Sequence, residues 1–192
     1  MSTAARERFV EVVRDGIISL PQDLKAVLRM VDDAEFDDDS RVAAAGALLH
    51  VLSASNAIPG LRGLLAYIDD VLVLRLVLEQ MGKRSPEAMA RHRAESPELL
   101  APLEDQLAAT REYLGDLTVV LEKAAAGVSR LSHAGKTARE CVSDSEMGTW
   151  LYDEIQTAIV DMDFDPEVVA RAMKSVDQIL PQLRVHVTGR AS

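Results

Sequence analysis

Residues Leu64 to Met81, LLAYIDDVLVLRLVLEQM, are apolar on nearly every side of a helix yet carry two adjacent aspartates near their start. Wound as an α-helix, the stretch would run about 27 Å. Its apolar residues are Leu64, Leu65, Ile68, Val71, Leu72, Val73, Leu74, Leu76, Val77, Leu78 and Met81. A helix of this kind has no solvent face and belongs at the centre of whatever it folds into. The remaining helices are therefore expected to pack around it. A membrane span is the poorer alternative, because Asp69, Asp70, Arg75 and Glu79 interrupt the run. An Asp or Arg at the centre of a span costs about 2.5 to 3.5 kcal/mol.

With 192 residues, 48% of them hydrophobic, the chain has ample material for a core. Cys141 is the only cysteine, so no disulfide can close within the chain. That usage fits a reducing compartment, and MSTAARERFVEVVRDG lacks the unbroken apolar core of a signal peptide, so a cytoplasmic location is expected. The net charge of −10, with no cluster of Lys and Arg, argues against nucleic acid and against anionic lipid.

Taken in order, Phe9, Val10, Val13 and Ile17 predict a short helix over residues 3 to 15, with Gly16 as its C-terminal cap. A second helix is expected from Pro21 to Val31, with Leu20, Leu24, Val27, Leu28 and Val31 as its stripe. The acids Asp32, Asp33, Glu35, Asp37, Asp38 and Asp39 then read as a solvated loop, since the glycine and closing glutamate of a calcium loop are missing. Asp39 or Ser40 is the expected cap of a third helix from Arg41 to Leu52, whose Ala43, Ala44, Ala45, Gly46 and Ala47 allow close approach of a neighbour. His50 on this helix reads as a hydrogen-bonded core residue, with a metal ligand or base as the alternative. The stretch SASNAIPGLRG reverses the chain.

From His50 to Asp70, HVLSASNAIPGLRGLLAYIDD resembles the signature of the YkvA-like family, a bacterial domain of unknown function. The matches fall on Leu52, Ser53, Ile58, Pro59, Tyr67, Asp69 and Asp70. This chain departs from the pattern at His50, where an aromatic is usual, at Ala54 and Gly63 in place of prolines, at Ala66 in place of glycine, and at Asn56 and Gly60 in place of acids. The resemblance covers residues 18 to 82. It implies a helical hairpin module, sometimes membrane-associated, with no established activity.

Residues 84–96 read as a linker or short surface helix. Beyond them Leu100, Leu103, Leu107, Leu114, Leu117, Leu121, Ala124, Val128 and Leu131 alternate at three and four, interrupted only at Thr110 and Arg111, the spacing of a coiled-coil seam of over four heptads. Such a helix closes on a partner within the chain or on a second copy. Polar residues from His133 to Gly148 interrupt it. Trp150 to Met162 then reads as a penultimate helix, followed by a last one capped by Asp165 and Pro166 with a stripe of Val169, Ala172, Val176, Ile179 and Leu183. The end, VTGRAS, is expected to fray. The expected fold is all-α, with about six or seven helices: a YkvA-like module over 1–83, a linker over 84–96, and a long helical hairpin over 97–192.

Asp69 and Asp70 are the candidate site, as divalent-metal ligands shared with Asn56 or His50 across the hairpin. Adjacent helical positions point about 100° apart, so the pair cannot grip one ion alone. The structural alternative pairs them with Arg62 or Arg75, or with the helix dipole. Asn56, Pro59 and Tyr67 complete the residues marked for structure or interaction. Asp161, Asp163 and Asp165 imitate a calcium loop but read better as a helix cap. Gly135, Lys136 and Thr137 imitate the tail of a phosphate loop without its first glycine, and Cys141 with His133 is a weak thiol–imidazole pair. No cofactor is implied. The expected function is a non-enzymatic helical interaction or scaffold protein that meets a partner, or itself, through the heptad-like helix. The alternatives are a divalent-metal-dependent enzyme or sensor using the acidic pair, and a peripheral membrane protein.

Overall fold

The computed structural model describes residues 2–53 and 57–188, and the fold is all-α apart from one two-residue-per-strand hairpin. The first helix, α1, runs unbroken from Thr3 to Asp32, capped by Ser2, whose side chain accepts from the Ala5 amide at 3.1 Å. Two helices were expected here. Gly16 and Pro21 lie inside α1 because both halves bury one stripe: Phe9, Val13, Ile17, Leu20, Leu24, Val27 and Met30. The bond that Pro21 removes is outweighed by that packing. Gly16 serves close approach, for a Cβ there would lie 2.5 Å from Val71 Cγ1.

Helix α2 spans Asp38–Leu52, and its N-cap is Asp37 rather than the expected Asp39 or Ser40. Asp37 accepts from the Ser40 amide at 2.9 Å and from the hydroxyls of Ser40 and Ser85, both at 2.6 Å. The acidic loop is thus more than a solvated turn. Asp33 accepts from His92 Nε2 at 2.9 Å and from Arg91 at 3.1 Å, and Glu35 also pairs with Arg91.

Helix α3, Tyr67–Arg84, is entered through a 3-10 turn at Gly63–Ala66 and is buried continuously from Ile68 to Leu78. It takes the central place expected of it, packed by α1 and α2 and by three later helices. The stretch expected to be a linker forms one of these, α4, over Pro86–Glu95, with Ala88, Met89 and His92 buried.

No long hairpin helix follows. The chain runs as α5 (Pro97–Leu100), α6 (Leu103–Leu114), a 3-10 turn at Gly115–Leu117, α7 (Thr118–Gly127) and another 3-10 turn at Val128–Arg130. Pro102 precedes α6, and Gly115 has φ +55°, a left-handed turn that ends it. The heptad-like residues bury themselves inside this chain: Leu100, Leu103, Leu107, Leu114, Leu121 and Val128 are core, with α6 on α1 and α7 on α3. Ser132–His133 pairs antiparallel with Lys136–Thr137 through a turn at Ala134 and Gly135, both at positive φ. The phosphate-loop look-alike is this hairpin. Helices α8 (Ala138–Ser143), α9 (Ser145–Val160), α10 (Pro166–Ala172) and α11 (Ile179–Thr188) complete the described residues, with a 3-10 segment at Met173–Gln178, and the last four residues of the end expected to fray lie outside them. Asp165 caps α10 as expected, accepting from the amides of Glu167 and Val168.

One continuous core runs from Phe9 to Leu183. No helix among the described residues is long and apolar enough to cross a membrane. Within the core lies an ion pair, Arg75 Nη2 on Asp23 Oδ2 at 2.8 Å, with Arg75 Nε on Gln106 at 3.1 Å and Ser19 on Asp23 at 2.9 Å.

Three variants probe this architecture. A Cβ on Gly46 would meet the Val128 carbonyl oxygen at 2.2 Å, a backbone atom that cannot swing away. Gly46→Ala is expected to cost up to about 3 kcal/mol, read as a lower urea midpoint at unchanged slope. Asp23→Ala strands a buried guanidinium and should cost about 3 to 5 kcal/mol, whereas Asp23→Leu with Arg75→Met should recover most of the loss. Equal stabilities for the single and double variants would refute the second expectation.

Candidate metal centre

The last turn of α2 and the first turn of α3 face each other across the 53–66 reversal, and three side chains converge there. Ser53 ends α2, its amide bonding the carbonyls of Leu49 and His50 and its hydroxyl bonding the latter at 2.9 Å. Ile58 and Leu61 are buried, while Gly60 and Gly63 take positive φ, so the reversal is pinned by apolar side chains and turned by glycines. Asp69 and Asp70 arrive on the first turn of α3, where the exposed helix amides favour negative charge.

His50 supplies what the two adjacent acids lack. Its Nε2 lies 2.8 Å from Asp69 Oδ2 and 3.9 Å from Asp70 Oδ1. One ligand atom from each of His50, Asp69 and Asp70 falls within 4.8 Å of the other two. All three residues are buried, with relative exposures of 5%, 0% and 7%. Asp69 also accepts two backbone amides of the reversal, Ala57 N on Oδ2 at 2.8 Å and Ile58 N on Oδ1 at 3.1 Å. Those amides were not foreseen. Every residue type but proline supplies one, so the sequence carries little mark of which will point at a carboxylate.

The charges explain why this cluster is unusual. Arg75, expected as a counter-ion, is held by Asp23, and Arg62 is exposed. Among the described residues no Lys or Arg side chain forms an ion pair with Asp69 or Asp70. Burial, reinforced by the charge of Asp69 and opposed by His50, pushes the Asp70 carboxyl from its ordinary 3.8 up to about 7. Burial works against a charged His50, but the hydrogen bond it donates to Asp69 and the charges of Asp69 and Asp70 outweigh it, so His50 becomes more basic than usual.

The other residues marked in advance lie elsewhere or do other work. Asn56 falls outside the described residues. Pro59 is half-buried in the reversal, and Tyr67 packs edge-on against Phe164 with ring centroids 4.8 Å apart, its hydroxyl made less acidic by burial and by Asp70 and Asp161. Cys141 is buried, its thiol pushed up by that burial, while His133 stacks on Trp150. They form no thiol–imidazole pair in the structure's contacts. Comparisons with protein-family models, with curated proteins and with solved structures found no match for this chain.

The cluster makes stability depend on pH in a definite direction. Asp70 in the fold keeps a proton that the unfolded chain has released between its ordinary 3.8 and about 7. What His50 contributes is complete below its ordinary 6.5 and is lost as pH rises through its elevated value. Both effects make the metal-free chain less stable as pH rises from about 4 to above 7, by at most about 1.4 kcal/mol per pH unit for each proton. Urea unfolding in chelator across that window should show the fall, and Asp70→Asn should flatten it. A wild-type profile that rises through neutral pH would contradict this account.

Proposed function

We propose that the protein binds a divalent cation, held by Nε2 of His50 and one oxygen each of Asp69 and Asp70, within the helical module over residues 18 to 82 that resembles the YkvA-like family. One observation carries the reading: two buried carboxylates and an imidazole converge, and among the described residues no Lys or Arg pairs with either acid. Buried carboxylates are retained when something neutralises them. Two carboxylates with a neutral imidazole carry −2, the complement of a divalent ion. The Ala57 and Ile58 amides on Asp69 act as the outer shell that orients a ligand. Binding or sensing is favoured over catalysis, because a catalytic ion keeps a position open to substrate and these donors are almost closed to solvent.

Thermal unfolding of the metal-stripped chain in a series of divalent ions tests the proposal. A folded-state ligand at about one hundred times its Kd adds about 2.7 kcal/mol. The melting temperature is expected to rise with at least one ion, and the rise should vanish in Asp69→Asn and in Asp70→Ala. No rise with any ion would end the reading.

A second reading, the interaction role, is favoured by the outer face of α9. Tyr152 and Val160 are 51% and 79% exposed there, beside Glu146 and Asp153. The chain holds no Lys or Arg between Arg139 and Arg171. An acidic face with exposed apolar side chains suits a partner segment carrying basic and apolar residues. A Lys- and Leu-rich amphipathic peptide should bind in a salt-sensitive way, and Tyr152→Ser with Val160→Ser should weaken it about tenfold or more. Binding indifferent to both changes would remove α9 as the contact.

A further inference from the structure

We infer that His50 selects the class of cation: a 3d ion of the zinc or cobalt kind, in preference to magnesium or calcium. This inference rests on the cation-binding reading above. Calcium takes about six to eight oxygen ligands, and magnesium takes six while keeping several waters. The cluster offers far less. Asp69 has each of its oxygens engaged by a backbone amide, Oδ2 by Ala57 at 2.8 Å and Oδ1 by Ile58 at 3.1 Å, which favours one oxygen for an ion over a bidentate grip. With Asp70 and His50 the chain then supplies three single-atom ligands, one of them nitrogen. Asp69 is fully buried, so there is no room on its side for the shell of water that a magnesium or calcium ion would need to complete its coordination.

Four-coordinate zinc or cobalt needs a single ligand more. Metal–ligand bonds of about 2.0 to 2.2 Å at tetrahedral angles separate the ligand atoms by about 3.3 Å. The present separations from His50 Nε2, 2.8 Å to Asp69 and 3.9 Å to Asp70, lie on either side of that figure. The three ligand atoms, which now lie within 4.8 Å of one another, would draw together around one ion. The ion takes the place of the proton that Nε2 shares with Asp69, the imidazole keeping its one proton on Nδ1, and the displaced proton leaves to solvent together with any proton on Asp70. Imidazole nitrogen is the donor that separates the two classes of ion: it suits zinc, cobalt, nickel and iron, whereas magnesium and calcium prefer oxygen. Removing His50 in favour of an oxygen donor of similar reach should therefore change which ion is held, as well as how tightly.

The test uses the full chain, stripped with chelator and titrated calorimetrically with Zn2+, Co2+, Mg2+ and Ca2+. Wild-type protein is expected to bind Zn2+ and Co2+ at least about tenfold more tightly than Mg2+ or Ca2+. His50→Gln and His50→Glu, checked for intact helix content and cooperative unfolding, should lose about tenfold or more in Zn2+ affinity while Mg2+ and Ca2+ move less. A readout that needs no variant is the proton spectrum of the Co2+-loaded wild type, where the His50 ring protons should be strongly shifted by the paramagnetic ion. Equal or stronger binding of Mg2+ or Ca2+ by wild type overturns the inference and leaves cation binding standing. So does unchanged Zn2+ affinity in a folded His50→Gln, or an unshifted His50 ring with Co2+ bound. Failure of the wild type to bind any of the four ions overturns the binding reading itself.

Discussion

Helix α3 has no solvent face through its middle, so each polar group it carries must be answered inside the protein. Three such groups occur, and they are answered in three ways. Arg75 meets Asp23 and Gln106, a charge met by an opposite charge and a neutral acceptor. Asp69 meets His50 and two amides, a charge spread over three donors. Asp70 has His50 at 3.9 Å and otherwise holds its proton well into the neutral range. The arrangement of the neighbours follows from these needs: α1 carries Asp23 to Arg75, α6 carries Gln106, and α2 presents His50 at its last turn.

Much of the N-terminal half was legible because its signals are local. An all-round apolar run announces a central helix, and Asp69 and Asp70 inside it announce a polar requirement wherever the helix lies. The division of α1 was misread because Gly16 and Pro21 are punctuation only when nothing opposes them. Here Val71 needs the space that Gly16 leaves, and the stripe from Phe9 to Met30 continues in phase through both residues. Tertiary packing overrode a local preference of known sign.

The C-terminal half went the other way. Leu100 to Leu131 keeps heptad spacing on paper, but Pro102 and Gly115 bend the chain into short helices that turn the same leucines toward α1 and α3. Periodicity counts which residues are apolar and says nothing of whether one straight helix carries them. For the site the pattern was similar. The acids and His50 were each visible, but their meeting depends on how far α2 and α3 close across the 53–66 reversal, a distance no spacing encodes. Asp23, the true partner of Arg75, was invisible because it reads as an ordinary polar residue on α1.

The contrast between Asp69 and Asp70 bears on what the cluster is for. Were the acids kept only to pin the reversal, Asp69 would suffice, since it alone takes the Ala57 and Ile58 amides. An apolar residue at position 70 would then spare the fold a carboxyl that burial makes hard to ionise. Asp70 therefore costs stability at neutral pH unless something neutralises it, and the two candidates are a proton and a cation. A proton asks only for burial. A cation asks for a second carboxylate and a nitrogen close by, and Asp69 on the same helix and His50 on α2 stand within that reach. The proton answers Asp70, and His50 with two amides answers Asp69; the proposed cation adds one reason for all three to converge.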